Sequence, residues 1–163
     1  MLRTVVVNST PIIALAEIGQ LEILKQVYEE VTIPIAVRDE VTVKDTHLLD
    51  ACDWIKVVPI TNITAKEMFT SALHDGEVEV MLLAKEIDAD LAIIDDGLAR
   101  KHAKYLGLNI TGTLGILLRA KDSGIINELR PILNDLVSTG FYISDDVRDE
   151  VLRIAGELRR KNR

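Results

Sequence analysis

The chain has 163 residues, of which 48% are hydrophobic and 28% are charged, and its formal net charge is −7. This length and composition predict one globular domain, spanning residues 1–163, with a core large enough to fold unaided. Because aromatic residues make up only 4% of the chain, we expect an aliphatic core and no base-stacking platforms. The negative charge argues against nonspecific binding of nucleic acid. It leaves nucleic acid open as a substrate, since bound metal ions would neutralise clustered carboxylates.

Several kinds of site and location are excluded by the cysteine, histidine and hydropathy patterns. Cys52 is the only cysteine, which excludes an internal disulfide and a cysteine-based zinc cluster. His47, His74 and His102 lack the spacing of metal ligands. No apolar run approaches the roughly 18 to 20 residues that a membrane span needs. We therefore expect a cytoplasmic protein that does not act at a membrane.

Short β-branched runs alternate with longer helical patterns along the chain, which indicates an α/β fold with a parallel sheet. Strands are predicted over residues 4–7, 31–33, 54–59, 91–94 and 108–111, with 54–59 at an edge. Helices are predicted over residues 11–18, 21–27, 64–73, 77–87, 98–106, 113–122, 128–138 and 145–160, and one more begins at Pro34. Ser9 or Thr10 is predicted to cap the first helix, with Pro11 at its first position.

Polar residues lie at the predicted junctions between buried strands and helices. Asn8 follows the first strand, and Asp95 and Asp96 follow the strand at 91–94. Parallel α/β sheets bind ligands in the crevice beyond the carboxyl ends of their strands. Two adjacent acids at that place favour a divalent cation, because their like charges otherwise repel. The alternatives are that Asp96 caps the next helix while Asp95 is solvated, and that Asn8 caps the first helix.

Two glutamates are further candidate ligands. Glu77 lies in the first turn of the most apolar helix, on the face directed inward, although it could simply complement the helix dipole. Glu79 lies about 200° around that helix from Glu77, so the two cannot share one site. Glu40 lies on the helix begun by Pro34 and could instead pair with Lys44.

Basic side chains near the aspartates are candidates for substrate binding. Arg100, Lys101 and Lys104 lie on the helix that follows Asp96, where they could contact a phosphate backbone or form an ordinary solvated face. Further along the chain, Arg119 and Lys121 are weaker candidates of the same kind. A basic tail follows the last predicted helix, within an appended segment at residues 145–163, and is interpreted as a frayed, dipole-complementing end: Arg159, Arg160, Lys161 and Arg163.

Four segments between residues 5 and 121 carry a resemblance to a known family. They read VVVNSTPIIALAEIGQLEIL, IPIAVRDEV, DGEVEVMLLAKE and ADLAIIDDGLARKHAKYLGLNITGTLGILLRAK, in this order. Together they resemble the PIN domain, and within it the VapC-like ribonucleases with GE and DD motifs. The resemblance implies a three-layer α/β/α sandwich with a central, mostly parallel sheet, and a ribonuclease that uses Mg²⁺ or Mn²⁺.

The resemblance also implies roles for individual residues. The metal-binding and catalytic positions of the family fall on Asn8, Glu40, Glu77, and Asp95 or Asp96. Ser9 or Thr10, together with Thr113, match polar residues that line the pocket. The resemblance further implies an RNA substrate, homodimerisation, and a toxin of a VapBC-like toxin–antitoxin pair, inhibited by a small antitoxin protein.

Two other hypotheses remain. Asn8 stands where the family has an aspartate, and an amide oxygen can coordinate a cation but brings no charge. The chain could therefore be a catalytically weakened PIN-fold protein that binds RNA or a protein partner. A receiver-like phosphotransfer module is disfavoured, because it requires an acidic pair after the first strand.

Overall fold

A computed structural model describes residues 3–69 and 72–158, and its centre is a five-stranded parallel sheet. The strands are β1 (Val5–Val7), β2 (Val31–Ile33), β3 (Ile55–Val57), β4 (Leu91–Ile93) and β5 (Ile110–Thr111). Their order across the sheet is β3-β2-β1-β4-β5. The chain thus builds outward from β1 in both directions, and the crevice for ligands in such a sheet lies beside β1 and β4, beyond their carboxyl ends.

Helices surround the sheet and bury it on both faces. They are α1 (Ser9–Glu17), α2 (Glu22–Tyr28), α3 (Ile35–Lys44), α4 (Ile63–Glu67), α5 (Asp75–Glu86), α6 (Gly97–Tyr105), α7 (Thr113–Asp122), α8 (Arg130–Ser138) and α9 (Asp145–Ile154), with a 3₁₀ turn at Leu49–Ala51. The predicted α/β/α sandwich with a parallel sheet is therefore confirmed. Among the described residues, every helix is too short or too polar to cross a bilayer.

The core is aliphatic, as its composition predicts. All residues of β1 and β4 are buried, as expected of strands covered on both faces. Each buried Val, Leu or Ile side chain contributes roughly 1.5–3 kcal/mol of transfer free energy. In the described core the aromatic residues are Tyr28 and Trp54. These packed strands fix the positions of the residues that follow them.

The starts of two helices differ from the prediction. The N-cap of α1 is Asn8, as the alternative interpretation of this residue predicted, and not Ser9 or Thr10; its Oδ1 accepts a hydrogen bond from the Ser9 N–H at 2.9 Å. The carbonyl of Asn8 can then begin the helix, so Pro11 lies third rather than first. Helix α5 begins at Asp75 with His74 as its N-cap. This helix was predicted to begin at residue 77, so it starts two residues earlier than expected.

The ends of two helices also differ. Helix α4 ends at Glu67 instead of residue 73. Helix α9 ends at Ile154 instead of residue 160, because Gly156 adopts the left-handed conformation with φ +76° that stops a helix. The basic tail residues Arg159, Arg160, Lys161 and Arg163 lie outside the described residues.

Two helices receive their N-terminal cap from a glutamate elsewhere in the chain. Pro34 precedes α3 and has no side-chain acceptor, and Glu79 instead accepts a hydrogen bond from the Ala36 N–H at 3.2 Å. The other oxygen of Glu79 pairs with Lys66 at 2.7 Å. These contacts tie α3, α4 and α5 together.

The second such glutamate is Glu157, which joins the end of the described chain to α8. Its carboxylate accepts from the N–H groups of Leu129 at 2.7 Å and Arg130 at 3.1 Å, and it pairs with Lys121 at 3.1 Å. Burial alone would raise the pKa of this carboxyl, but the hydrogen bonds outweigh burial and lower it. The carboxylate form is thus the one that stabilises the fold.

Candidate active site

The carboxyl ends of β1 and β4 bring polar residues from distant segments together. Val7 pairs with Ile93 in register, and the Asn8 N–H donates to the Ile93 carbonyl at 3.0 Å. Asn8 and Asp95 therefore follow neighbouring strands on the same edge of the sheet. A cavity of about 340 Å³ opens beside Asn8, and its wall consists of Asn8, Ser9, Thr10, Glu40, His74 and Glu77.

Glu40 connects three elements at this cavity. Its carboxylate accepts from the Ser9 hydroxyl at 2.5 Å and from the Gly76 N–H at 3.1 Å. A Cβ on Gly76 would collide with the Glu40 carboxylate, so this contact needs glycine directly before Glu77. Glu40 makes no ion pair with Lys44 in the described part of the chain. The alternative interpretation of Glu40, as the partner of Lys44, is therefore wrong for the described structure.

Glu77 is a buried carboxylate in an unfavourable environment. The residue is 6% exposed, and within the described residues its Oε2 atom has no hydrogen-bond partner. Burial raises the pKa of the Glu77 carboxyl, the charges of Asp96 and Glu40 raise it further, and only His74 opposes them. An unsatisfied buried acceptor costs roughly 1–3 kcal/mol. A cation beside Glu77 would give its Oε2 atom a partner and would offset the repulsion from Asp96 and Glu40.

The two adjacent aspartates have different surroundings. Asp96 is the N-cap of α6 and accepts from the Ala99 N–H at 2.9 Å, while its charge also acts on Glu77. Asp95 accepts from the Thr113 N–H at 2.8 Å and from the buried Thr113 hydroxyl at 2.6 Å. A Cβ on Gly112 would lie 2.7 Å from the Asp95 Oδ1 atom, so glycine allows this contact. Asp95 thus joins β4 to the start of α7.

A larger cleft of about 780 Å³ adjoins the first cavity, and Thr10 lines both. Asp95, Asp96 and Arg100 are in its wall. Arg100 donates to the Ile94 carbonyl at 2.9 Å. Lys101 and Lys104 are exposed on α6 and, unlike Arg100, do not line this cleft of the described structure. Of the three candidate substrate-binding cations, Arg100 is therefore the one beside the aspartates.

The family model described as the PIN domain matches residues 4–157, which is most of the chain. The chain belongs to the PIN-domain family. No curated protein matches it. PIN domains are generally nucleases and typically use divalent metals, so this chain has a nuclease-like fold.

The oxygen donors of this PIN domain fit a hard divalent cation in their chemistry. Carboxylate and amide oxygens are the ligands that Mg²⁺ and Mn²⁺ prefer, and Glu77 Oε2 is a buried acceptor with no donor. Across residues 3–69 and 72–158, no three Asp, Glu, His or Cys side chains form a ready-made metal cluster. Glu40 and Asp95 are instead bonded to Ser9, Gly76 and Thr113.

Three residues of this PIN domain site were missed by sequence reasoning. Gly76 and Gly112 lie against Glu40 and Asp95, where a Cβ would not fit. His74 lines the cavity at the start of α5, and its electrostatic effect lowers the pKa of Glu77. The glycines gave a usable signal, because each stands directly before a candidate site residue in the sequence. His74 gave none, since its role depends on the true start of α5.

Proposed function

We propose that this PIN domain is a metal-dependent endoribonuclease that hydrolyses RNA phosphodiester bonds with Mg²⁺ or Mn²⁺. The observation that supports this most strongly is the buried Glu77 carboxylate, whose Oε2 atom lacks a donor among the described residues. The charges of Asp96 and Glu40 oppose its ionisation. Such an arrangement is costly for folding alone, whereas a buried carboxyl with a raised pKa beside other acids in a cleft is typical of functional sites.

The proposed roles follow from position. A bound divalent ion supplies the chemistry that lowers the pKa of an attacking water and offsets charge on the leaving oxygen. The residues proposed to hold it are Asn8, Glu40, Glu77, Asp95 and Asp96. Asn8, Glu40 and Asp95 would do so while keeping their hydrogen bonds to Ser9, Gly76 and Thr113, because a carboxylate or amide oxygen has more than one lone pair. Thr113 keeps the Asp95 carboxylate in place, and Ser9 does the same for Glu40. Thr10 lines both cavities.

Substrate orientation is assigned mainly to Arg100. It lines the cleft next to the aspartates, and the single hydrogen bond of its side chain within the described structure goes to the Ile94 carbonyl, so further guanidinium donors remain for a phosphate. Lys104 lies one turn further along the same side of α6 and could contact the next phosphate. Lys101 lies on another side of α6 and is the weakest of the three.

The resemblance to VapC-like ribonucleases supports a more specific role. On that basis, the chain is proposed to be the toxin of a toxin–antitoxin pair that acts on RNA in the cytoplasm as a homodimer and is inhibited by a small antitoxin protein. A short reading frame beside the gene, whose product co-purifies with the chain and suppresses cleavage, is the expected finding. Its absence would leave a ribonuclease without a toxin role.

The decisive experiment is an RNA cleavage assay on the purified chain. Structured and single-stranded RNA are incubated with Mg²⁺ or Mn²⁺, and then with EDTA. We expect cleavage that EDTA stops and that Glu77→Gln abolishes. Glu17→Gln is the matched control, because Glu17 is an exposed glutamate on α1 outside both cavities. Cleavage that persists in EDTA, or an active Glu77→Gln variant, would contradict the proposal.

A second candidate is a catalytically weakened PIN domain that binds RNA or a protein partner. It is favoured by Asn8, which carries no charge and whose Oδ1 is bonded to the Ser9 N–H. The variant Asn8→Asp distinguishes the two, since aspartate keeps the cap and adds a negative ligand. If the unmodified chain is inactive and Asn8→Asp cleaves RNA with Mg²⁺, the second candidate holds.

A further inference from the structure

Two aromatic residues from the far end of the described chain line the larger cleft. Phe141 and Tyr142 lie in its wall with Asp96 and Arg100, although they follow the last resembling segment by twenty residues. Phe141 is partly buried and packs against the core, whereas Tyr142 is 86% exposed. The low aromatic content predicted no platform for bases, yet two of the chain's six Phe, Trp and Tyr residues are adjacent here.

The segment that carries these aromatics is anchored at both ends. After α8, Gly140 adopts φ +100°, its N–H donates to the Val137 carbonyl, and the Phe141 N–H donates to the Leu136 carbonyl at 3.0 Å. Such a glycine motif fixes the exit of a chain from a helix. Two residues after Tyr142, Ser144 caps α9. The backbone of Tyr142 is therefore held, and little ordering is needed before its ring can contact a ligand.

Folding does not explain the position of the Tyr142 ring. Within the described residues Tyr142 makes no hydrogen bond, ion pair or aromatic contact. Unpaired RNA bases stack on exposed aromatic rings, and such stacking is largely independent of sequence. Arg100, in the same wall, supplies the positive charge that the adjoining phosphate needs.

We propose that Tyr142, supported by Phe141, is a base-stacking subsite that holds one unpaired nucleotide of an RNA strand next to the aspartates. This inference rests on the proposed function, because it assigns a residue of this chain that positions the RNA strand at that site. Tyr142 acts as a specificity-determining residue for unpaired RNA and takes no part in the chemical step. A duplex would be disfavoured, since its bases are already stacked on each other.

Binding is measured with a fluorescently labelled single-stranded octaribonucleotide at low ionic strength in EDTA, where metal-dependent cleavage stops. We expect Tyr142→Ala to weaken binding about tenfold and Tyr142→Phe to bind like the unmodified chain, because stacking needs the ring and not the hydroxyl. Tyr105→Ala is the matched control, since Tyr105 is 94% exposed on α6 but does not line this cleft of the described structure.

A set of octaribonucleotides with one abasic position each sharpens the test. One abasic position should weaken binding to the unmodified chain as much as Tyr142→Ala does, and should weaken binding to Tyr142→Ala no further. Equal binding by Tyr142→Ala and the unmodified chain would overturn the inference. So would an equal loss in Tyr105→Ala, a loss in Tyr142→Phe, or no binding of the oligonucleotide at all. Capture of a protein partner by this cleft in place of RNA would also overturn it.

Cleavage assays separate this inference from the proposed function. If both hold, Tyr142→Ala raises KM and leaves kcat and the metal requirement unchanged. If RNA binding depends on Tyr142 but no metal-dependent cleavage occurs, the stacking subsite is supported and the proposed ribonuclease activity is contradicted. If metal-dependent cleavage occurs and Tyr142→Ala leaves KM unchanged, the ribonuclease activity is supported and the subsite is contradicted. Because Tyr142 is exposed, its variants should unfold at the same temperature as the unmodified chain, which controls for misfolding.

Discussion

Glu77 and Glu79 are two residues apart on α5 and almost equally buried, at 6% and 7% exposure, but their surroundings are opposite. Glu79 faces α3 and α4, where one oxygen caps α3 through the Ala36 N–H and the other pairs with Lys66. Glu77 faces the cavity, where its Oε2 atom has no donor in the described structure and its charged neighbours include Asp96 and Glu40.

This contrast separates two uses of a buried carboxylate. A charge that is removed from water is tolerated when donors and a cation replace the water, as they do at Glu79. Glu77 has no such replacement, so its ionised form lowers the stability of the fold. Burial alone therefore does not identify the candidate site, whereas burial without partners does. Glu157, with two backbone donors and Lys121, belongs with Glu79.

The largest expected effect is the loss of the Glu79 contacts. Among the described residues, Glu79→Ala leaves Lys66 with only Asp75, 3.8 Å away, and it leaves the Ala36 N–H without its acceptor. We expect the free energy of unfolding to fall by about 3 kcal/mol, measured by urea denaturation. Glu79→Gln, which can still accept from Ala36, should lose less. If Glu79→Ala is as stable as the unmodified chain, the contrast with Glu77 fails.

The next effect is at Glu157. Glu157→Ala removes the cap of α8 and the partner of Lys121, and should cost about 2 kcal/mol. Because the pKa of Glu157 is lowered in the fold, its contribution is present above the ordinary value of 4.5 and is lost as pH falls through the folded-state pKa. Unfolding curves of both chains should therefore converge in acid. A difference that grows on acidification would contradict this assignment.

The sequence predicted that Glu77 and Glu79 lie on different sides of one helix, but it did not predict which groups surround each of them. The 200° separation of Glu77 and Glu79 follows from helix geometry, and the structure has them on different sides of α5. The partners of Glu79 could not be predicted, because they come from the starts of other helices, and helix starts depend on tertiary contacts. The start of α5 shows the same difficulty. It was predicted at Glu77 but lies at Asp75, and for this reason His74 was not recognised as a residue at the start of this helix.

The burial of the strands and their succession along the chain were predictable because they follow from composition and periodicity. The surroundings of Asp95 were not, since its bond to Thr113 depends on the pairing of β4 with β5 and on the absence of a side chain at Gly112. The cleft aromatics were missed for a related reason. Their position depends on how α8 packs, and the segment carries no motif.

Replacement of Glu77 is expected to have a smaller effect than replacement of Glu79 or Glu157, and to raise the stability of the fold instead of lowering it. The raised pKa means that the folded chain holds the Glu77 proton more tightly than the unfolded chain does. Ionisation of Glu77 therefore does not lower the stability of the fold below pH 4.5. The loss of stability develops as the pH rises from 4.5 through the folded-state pKa, and it is complete above that pKa. Glu77→Gln should stabilise the metal-free chain by about 1 kcal/mol at neutral pH and not at all in acid.

Calorimetric or spectroscopic melting at pH 3.5 and pH 7 would check this prediction. Added Mg²⁺ or Mn²⁺ should raise the melting temperature of the unmodified chain and not that of Glu77→Gln. The control is Glu17→Gln, which changes an exposed charge on α1. A variant Glu77→Gln that is less stable than the unmodified chain at neutral pH would mean that the carboxylate has a stabilising partner.

The smallest effect is expected at Asp96, where two contributions oppose each other. Its carboxylate caps α6 through the Ala99 N–H, which contributes about 1 kcal/mol, while its charge acts unfavourably on Glu77. Asp96→Ala loses the cap but relieves the repulsion, so its net loss should be below about 1 kcal/mol. Asp96→Asn keeps a capping oxygen and removes the charge, and should be more stable than the unmodified chain by a few tenths of a kcal/mol.

Urea denaturation of both variants checks these expectations. Equal stability of Asp96→Ala and Asp96→Asn would show that the cap contributes nothing. An Asp96→Asn variant that is less stable than the unmodified chain would show that the charge of Asp96 does not destabilise the ionised Glu77.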